Sequence, residues 1–148
     1  MTGTSVPAVP VSWGELLDKL TILEIKRRRI DRPDARANVE KEYRALACVS
    51  ESALLHPEVL ELLEALRQVN KDLWQIEEAI RLKEAEADFG SDFVRLARSV
   101  YLINDERAAI KRRINEALSS GLIEEKSYGG ITALNGAKLS GDVASRVR

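Results

Sequence analysis

The spacing of apolar residues in the second half of the chain limits the fold more than any other sequence feature. From Pro57 to about residue 87, apolar side chains recur at alternating intervals of four and three residues, at Leu62, Leu66, Val69, Leu73, Ile76 and Ile80. This spacing puts them on one side of an α-helix and is typical of a coiled-coil seam. Residues 88–92, which include Gly90, are too few for anything except an antiparallel reversal. We therefore predict a long, coiled-coil-like C-terminal hairpin.

The rest of the chain also predicts helices. The second arm of the hairpin is expected at about 92–118, ended by Gly121. Two earlier helices are expected at about 12–31 and 34–49, separated by Pro33, which disfavours helical geometry at the residue before it. We predict an all-α protein, an antiparallel bundle of four helices. Three long helices would form instead if the predicted break at residues 50–56 were absent.

Length and composition agree with one helical domain. A chain of 148 residues suffices for one core, and 45% hydrophobic with 32% charged and 5% aromatic residues favours a charged bundle over a β-sandwich. We expect residues 1–11 to be a flexible leader and residues 12–128 to be the domain. Residues 129–148 carry four glycines and no sustained period, so we expect a disordered tail.

Several classes of function are disfavoured by composition. The net charge of −1 gives no field that would attract nucleic acid, so a nucleic-acid partner is unlikely. The single Cys48 and the lack of a long apolar run predict a cytoplasmic protein with no membrane span. A ferritin-like metal site needs a Glu-x-x-His pair that the sequence does not have, so we expect no metal and no cofactor.

The first predicted helix has a clear N-terminal cap and a charged residue on its apolar face. Ser12 followed by Glu15 three residues later forms a capping box, in which each side chain binds a free backbone N–H. At 100° per residue the leucines lie on one face and Asp18 points elsewhere. Arg27 falls in the middle of that apolar face, with Glu24 at its edge, so we expect it to pair or to bind something.

Polar residues also interrupt the apolar faces of the hairpin. Asn104, Arg107, Lys111 and Asn115 fall near the centre of the apolar face of the last helix, and Asn70, Trp74 and Glu77 line one flank of the helix before it. Asn70 and Glu77 are the expected partners of Asn104, Arg107 and Lys111. We call the whole predicted set the polar belt, and its nine residues are the candidate ligand-binding residues: Glu24, Arg27, Asn70, Trp74, Glu77, Asn104, Arg107, Lys111 and Asn115.

Two interpretations of the polar belt are open. In the first, it fixes the register of helices that would otherwise slide, as single polar residues do in coiled coils. In the second, Arg27, Arg107 and Lys111 converge on a small anionic ligand, which Asn70, Asn104 and Glu77 orient.

Four blocks of sequence resemble a known family. They are residues 12–26 (SWGELLDKLTILEIK), 73–77 (LWQIE), 104–108 (NDERA) and 125–128 (EKSY). Together they resemble an uncharacterised family of small bacterial all-helical proteins, a domain of unknown function, over about residues 12–128. The resemblance implies a link to cell-surface polysaccharide processes, and it assigns no catalytic residue.

The sequence leaves the biochemical activity unknown. The leading hypothesis is a non-enzymatic helical interaction or scaffold module that self-associates or binds a protein partner through the hairpin and residues 122–128. The alternative is a small helical enzyme, or a protein that binds an anionic ligand, using the polar belt.

Overall fold

The computed structural model describes residues 5–120 and 125–127, and this part of the chain contains helices and no strand. Helix α1 spans Trp13–Arg29, α2 spans Pro33–Ser50, α3 spans Pro57–Ala85 and α4 spans Ser91–Ala117, with a 3₁₀ turn at Ala53–Leu55. The all-α prediction is confirmed. The predicted break before Pro57 is present, so four helices form rather than three. The predicted end of the last helix at Gly121 and the predicted tail at 129–148 lie outside the described residues.

Helix boundaries follow from local chemistry. The Ser12 hydroxyl accepts a hydrogen bond from the Glu15 backbone N–H at 3.2 Å, which caps α1. Pro33 and Pro57 occupy the first turns of α2 and α3, where the N–H that proline lacks would have no helical partner. Gly90 is the N-cap of α4 and makes no side-chain capping bond.

Helix α1 lies at the centre of the fold, because it contacts α2, α3 and α4. Its buried residues therefore extend beyond the leucine face, while the side that carries Glu15 and Lys19 stays exposed. The buried residues are Gly14, Leu16, Leu17, Asp18, Leu20, Thr21, Leu23 and Ile25. The core combines leucines of α1 with Val59, Leu66 and other apolar residues of α3 and with Ile114 of α4. The leucines of the predicted apolar face are buried, and Asp18, which points elsewhere, is buried as well, since a helix packed on three sides buries some of its polar residues too.

The connection between α3 and α4 is a tight reversal over residues 86–90. Ala87 has a φ of 52°, in the left-handed region, and the Asp88 N–H donates to the Lys83 carbonyl at 2.9 Å. This is the hydrogen bond that commonly closes a helix C-terminus. At the end of α4, Ser119 has a similar φ of 50°.

None of the four described helices combines the length and the apolar character of a membrane-spanning segment.

Candidate functional site

The polar centre of the fold is the carboxylate of Asp18, whose side chain is 1% exposed. Arg107 of α4 binds it with two hydrogen bonds, from Nε to Oδ1 at 2.9 Å and from Nη2 to Oδ2 at 2.5 Å. Asn70 of α3 donates from Nδ2 to Asp18 Oδ1 at 2.9 Å. Lys111 Nζ lies 3.9 Å from Oδ2. One buried carboxylate of α1 is thus held by side chains of the two helices of the hairpin.

Neighbouring groups complete this Asp18 cluster. Asn70 Nδ2 also donates to Thr21 Oγ1 at 2.7 Å, and the Thr21 hydroxyl donates to the Asp18 carbonyl at 2.8 Å. At its margin Lys111 Nζ donates to Glu15 Oε2 at 2.7 Å, and Arg107 Nη1 donates to Asn104 Oδ1 at 3.2 Å. We define the Asp18 cluster as Glu15, Asp18, Thr21, Asn70, Asn104, Arg107 and Lys111.

The ionised groups of the Asp18 cluster are paired with one another. Two carboxylates, of Glu15 and Asp18, face two cations, of Arg107 and Lys111. Among the described residues no buried side-chain nitrogen or oxygen lacks a hydrogen-bond partner. Since a buried ion left unpaired costs several kcal/mol, this arrangement gives every residue of the cluster a structural task.

A second set of polar contacts fixes the start of α1 on the end of α4. The Gly14 N–H donates to Asn115 Oδ1 at 2.7 Å, and the Trp13 N–H donates to Ser120 Oγ at 3.4 Å. The first N–H groups of a helix have no partner within it, so Asn115 of α4 and Ser120, three residues after the end of α4, supply partners for two of them. A Cβ at Gly14 would lie 2.5 Å from the Lys111 carbonyl oxygen, so the two backbones approach too closely for any residue except glycine.

The Glu15 side chain also differs from its predicted role. Its carboxylate binds Lys111 of α4 instead of returning to the Ser12 N–H, so only the Ser12 half of the predicted capping box forms. Residues 12–26, one of the blocks that carry the family resemblance, therefore include the side chains of α1 that bind α4.

The structure brings together only part of the predicted polar belt. Asn70, Asn104, Arg107 and Lys111 meet in the Asp18 cluster, and Asn115 lies beside it at the α1 terminus. Trp74 instead donates from Nε1 to Glu78 on its own helix at 2.8 Å. Glu77, an expected partner of Arg107, is exposed and makes no hydrogen bond or ion pair to a described residue. The prediction failed because it sought partners only between α3 and α4, whereas Asp18 of α1 supplies the carboxylate.

Glu24 and Arg27 also lie outside the Asp18 cluster, on a different side of α1. Glu24 accepts two hydrogen bonds from Arg67, at 2.8 and 3.1 Å, and this contact raises the pKa of the Arg67 guanidinium. Arg27 donates to Glu40 of α2 at 2.7 Å and lies 4.0 Å from the centre of the Tyr43 ring. These partners, Arg67 of α3 and Glu40 and Tyr43 of α2, were not among the residues predicted for the polar belt.

The pKa of Glu40 reflects its position between two arginines. Partial burial of the carboxylate raises its pKa, but the hydrogen bonds from Arg27 and Arg44, together with the charges of the two arginines, outweigh that effect and lower it.

Asp18 and Thr21 were not among the predicted site residues, although the sequence contains a weak signal that they are buried. They lie three residues apart in a segment where Leu16, Leu17, Leu20 and Leu23 occupy much of the helix surface. A helix with so little polar surface is buried on more than one side, and its remaining polar residues need partners.

Over the described residues, fold and site together define a class: an all-α protein with four helices and a buried ionic cluster between three of them. The chain belongs to the family of unknown function DUF6165, whose model matches residues 8–139. This confirms the resemblance to an uncharacterised family, and the match extends beyond residues 12–128 at both ends. No curated protein and no solved structure has significant similarity to the chain. Within the described ranges, no group of three or more His, Cys, Asp or Glu side chains is placed to hold a metal ion.

Proposed function

We propose that this chain is a non-enzymatic helical interaction module that self-associates through the far end of its α3–α4 hairpin. We name residues 77–98 the distal hairpin. The observation that carries the proposal is that no residue of the distal hairpin is buried. In the preceding part of α3, by contrast, eight residues are buried, from Val59 to Ile76.

The distal hairpin is nevertheless rich in apolar side chains. Leu82, Phe89 and Val94 are 61%, 54% and 50% exposed. Ile80 and Phe93 are half-buried, and the Phe89 and Phe93 rings meet edge to face at 5.2 Å. Two helices alone cannot cover the apolar stripes of both, whereas four can. Exposed apolar side chains concentrated in one part of a fold are typical of interaction sites.

A second copy of the chain is the partner that fits this surface. The apolar spacing of residues 62–80 ends at Ile80, and the exposed Leu82 and Val94 lie beyond it, so two copies can bury these side chains against each other in a two-fold arrangement. The distal hairpin also carries charges of both signs, such as Arg81, Glu84, Asp92 and Arg95, which lets the surface pair with itself. In this proposal α3 and α4 form the antiparallel, coiled-coil-like hairpin of a single domain spanning residues 12–128.

The Asp18 cluster supports a scaffold role over a catalytic one. Its ionised groups are bound to one another and hold α1, α3 and α4 in one register. A cytoplasmic location accords with the exposed, unpaired Cys48. The link to cell-surface polysaccharide processes stays a prediction from the family resemblance alone.

The experiment is light scattering after size exclusion, over a wide range of protein concentration. We expect dimers for the natural sequence and monomers for the double variant Leu82→Glu, Val94→Glu. The matched control is Val49→Glu, Leu55→Glu, which places the same charges at apolar positions outside the hairpin that are 58% and 82% exposed. Far-UV circular dichroism checks that all three proteins are helical. A monomer at every concentration, or equal dissociation of both variants, would refute self-association through this surface.

A further inference from the structure

A large groove lies between α1, α2 and α3, and of the Asp18 cluster only Thr21 lines it. Its volume is about 720 Å³, within the range of small-molecule sites. Among its lining residues only Ile25 is an aliphatic residue and Tyr43 an aromatic one; the others are polar or charged. The lining therefore suits a charged ligand better than an apolar one.

Basic side chains dominate this groove. Six of them line it, on all three helices: Arg27, Arg28, Arg29, Arg36, Arg67 and Lys71. Three acidic residues, Glu24, Glu40 and Glu64, also line it. The groove thus has a surplus of three positive charges, although the whole chain has a net charge of −1. Charge of one sign is concentrated where low-dielectric walls strengthen its field.

The acidic residues of the groove are already bound by arginines. Glu40 is bound by Arg27 and Arg44, and Glu24 and Glu64 are both bound by Arg67. Arg28, Arg36 and Lys71, in contrast, make no ion pair with any described residue. These three cations, one on each helix, are available to a ligand.

The paired arginines are also suited to a ligand, because their positions are fixed. Arg67 is held by two carboxylates, and Arg27 by one carboxylate and the Tyr43 ring. A guanidinium has five N–H donors, and the hydrogen bonds given above leave donors of Arg27 unused. A group held in place before binding loses less conformational entropy when a ligand arrives.

We propose that this groove binds a soluble small molecule carrying two or more phosphate groups, held by Arg28, Arg36 and Lys71 with Arg27 and Arg67 beside them. Guanidinium groups match phosphate oxygens in geometry and charge, and several cations from separate helices suit a ligand with several anionic groups. This ligand site is independent of self-association, because its lining includes no residue of the distal hairpin.

Two macromolecular ligands fit the groove less well. A nucleic acid is usually bound along an extended basic stripe of a basic domain, whereas here the surplus is confined to one groove of a slightly acidic chain. An acidic peptide would bring carboxylates spaced along a backbone, and the three cations instead surround a single space.

The probe for this site is inorganic tripolyphosphate, titrated calorimetrically at about 150 mM salt, where interactions between distant exposed charges are screened. We expect saturable one-to-one binding to the natural sequence. The triple variant Arg28→Gln, Arg36→Gln, Lys71→Gln should bind at least about tenfold more weakly, because it loses three charge-assisted contacts. The control Lys19→Gln, Lys41→Gln, Arg113→Gln makes the same charge change outside the groove and should bind within about twofold of the natural sequence.

The outcomes separate this proposal from its alternatives. Absence of tripolyphosphate binding, or equal weakening in both triple variants, would overturn it. Tighter binding of a polyglutamate peptide through the same three residues would also overturn it. Co-sedimentation with phosphatidic acid vesicles, set against glycerol phosphate in solution, distinguishes a lipid headgroup from a soluble phosphate, and a preference for the vesicles would contradict a soluble ligand. Circular dichroism verifies the fold of both variants, whose substituted side chains are all exposed.

Discussion

Asp18 and Arg107 lie 89 residues apart in the sequence and form a bidentate ion pair within the leucine core. The carboxylate is almost fully buried, while the arginine side chain is 26% exposed. The pair, together with Asn70, connects the central helix to both helices of the hairpin. It is the contact that fixes how α1 lies on α3 and α4.

Removal of one partner of this pair should be more harmful than removal of both. Arg107→Met leaves the buried Asp18 with the Asn70 amide and with the Lys111 ammonium 3.9 Å away, and should lower the free energy of unfolding by about 3–5 kcal/mol. The double variant Asp18→Leu, Arg107→Met replaces both charges by apolar groups and should lose less than Arg107→Met does. Urea denaturation followed by circular dichroism measures both changes.

The control for this comparison is an exposed ion pair on the same helix. Lys19→Met breaks the pair between Lys19 and Glu42, whose side chains are 56% and 44% exposed, and should cost less than about 1 kcal/mol. A double variant less stable than Arg107→Met would show that the ion pair contributes net stability, and would contradict the expectation that the single substitution is the more harmful one.

Gly14→Ala should weaken the packing of α1 on α4. The added Cβ would lie 2.5 Å from the Lys111 carbonyl oxygen, and backbone atoms cannot move aside as a flexible side chain does. We expect a loss of about 1–3 kcal/mol, as for other insertions into packed contacts, measured by thermal and urea denaturation. Gly90→Ala is the control, because there the nearest atom is the Asp88 side chain at 3.3 Å and the backbone φ of −75° suits alanine. Equal effects of the two substitutions would contradict a special role for Gly14.

Ala87→Gly should stabilise the protein. Ala87 adopts a φ of 52° at the end of α3, where a side chain is strained and glycine is not. We expect a gain of about 0.5–1 kcal/mol, reduced somewhat by the greater freedom of glycine in the unfolded chain. Differential scanning calorimetry measures the gain, and Ala85→Gly, at the last helical residue of α3, is expected to destabilise instead.

The ion pair at the α3–α4 reversal should give stability that depends on pH at both extremes. Lys83 donates to Asp88 at 2.9 Å, which lowers the pKa of the Asp88 carboxyl below 3.8 and raises the pKa of Lys83 above 10.5. The Asp88 contribution is complete above its unfolded pKa and is lost as the pH falls through the lower folded value. The Lys83 contribution is complete below its unfolded pKa and is lost as the pH rises through the higher folded value.

This pH dependence can be isolated with Asp88→Asn. The difference in stability between the natural sequence and this variant should be constant near neutral pH and should shrink below pH 3.8 and above pH 10.5. Urea midpoints measured across the pH range provide the test. A difference that stayed constant at low pH would show that the charge of Asp88 is not what stabilises the reversal.

The sequence by itself determined the helices. The period of Leu62, Leu66, Val69 and Leu73, the two prolines and the Ser12 cap predicted four helices, and the observed bounds differ by a few residues at most. These signals are local, since helix periodicity and capping depend on residues within one or two turns. The presence of a polar set that includes Asn70, Arg107 and Lys111 was also readable, because these residues interrupt apolar faces.

Only the tertiary structure decided which polar residues meet. It placed Asp18 at the centre of the cluster, turned Glu24 and Arg27 towards Arg67 and Glu40, and left Glu77 exposed. The physical reason is that α1 is packed on three sides. The partner of a buried charge is then set by the arrangement of several helices in space, and a periodicity measured along one helix contains no information about that arrangement.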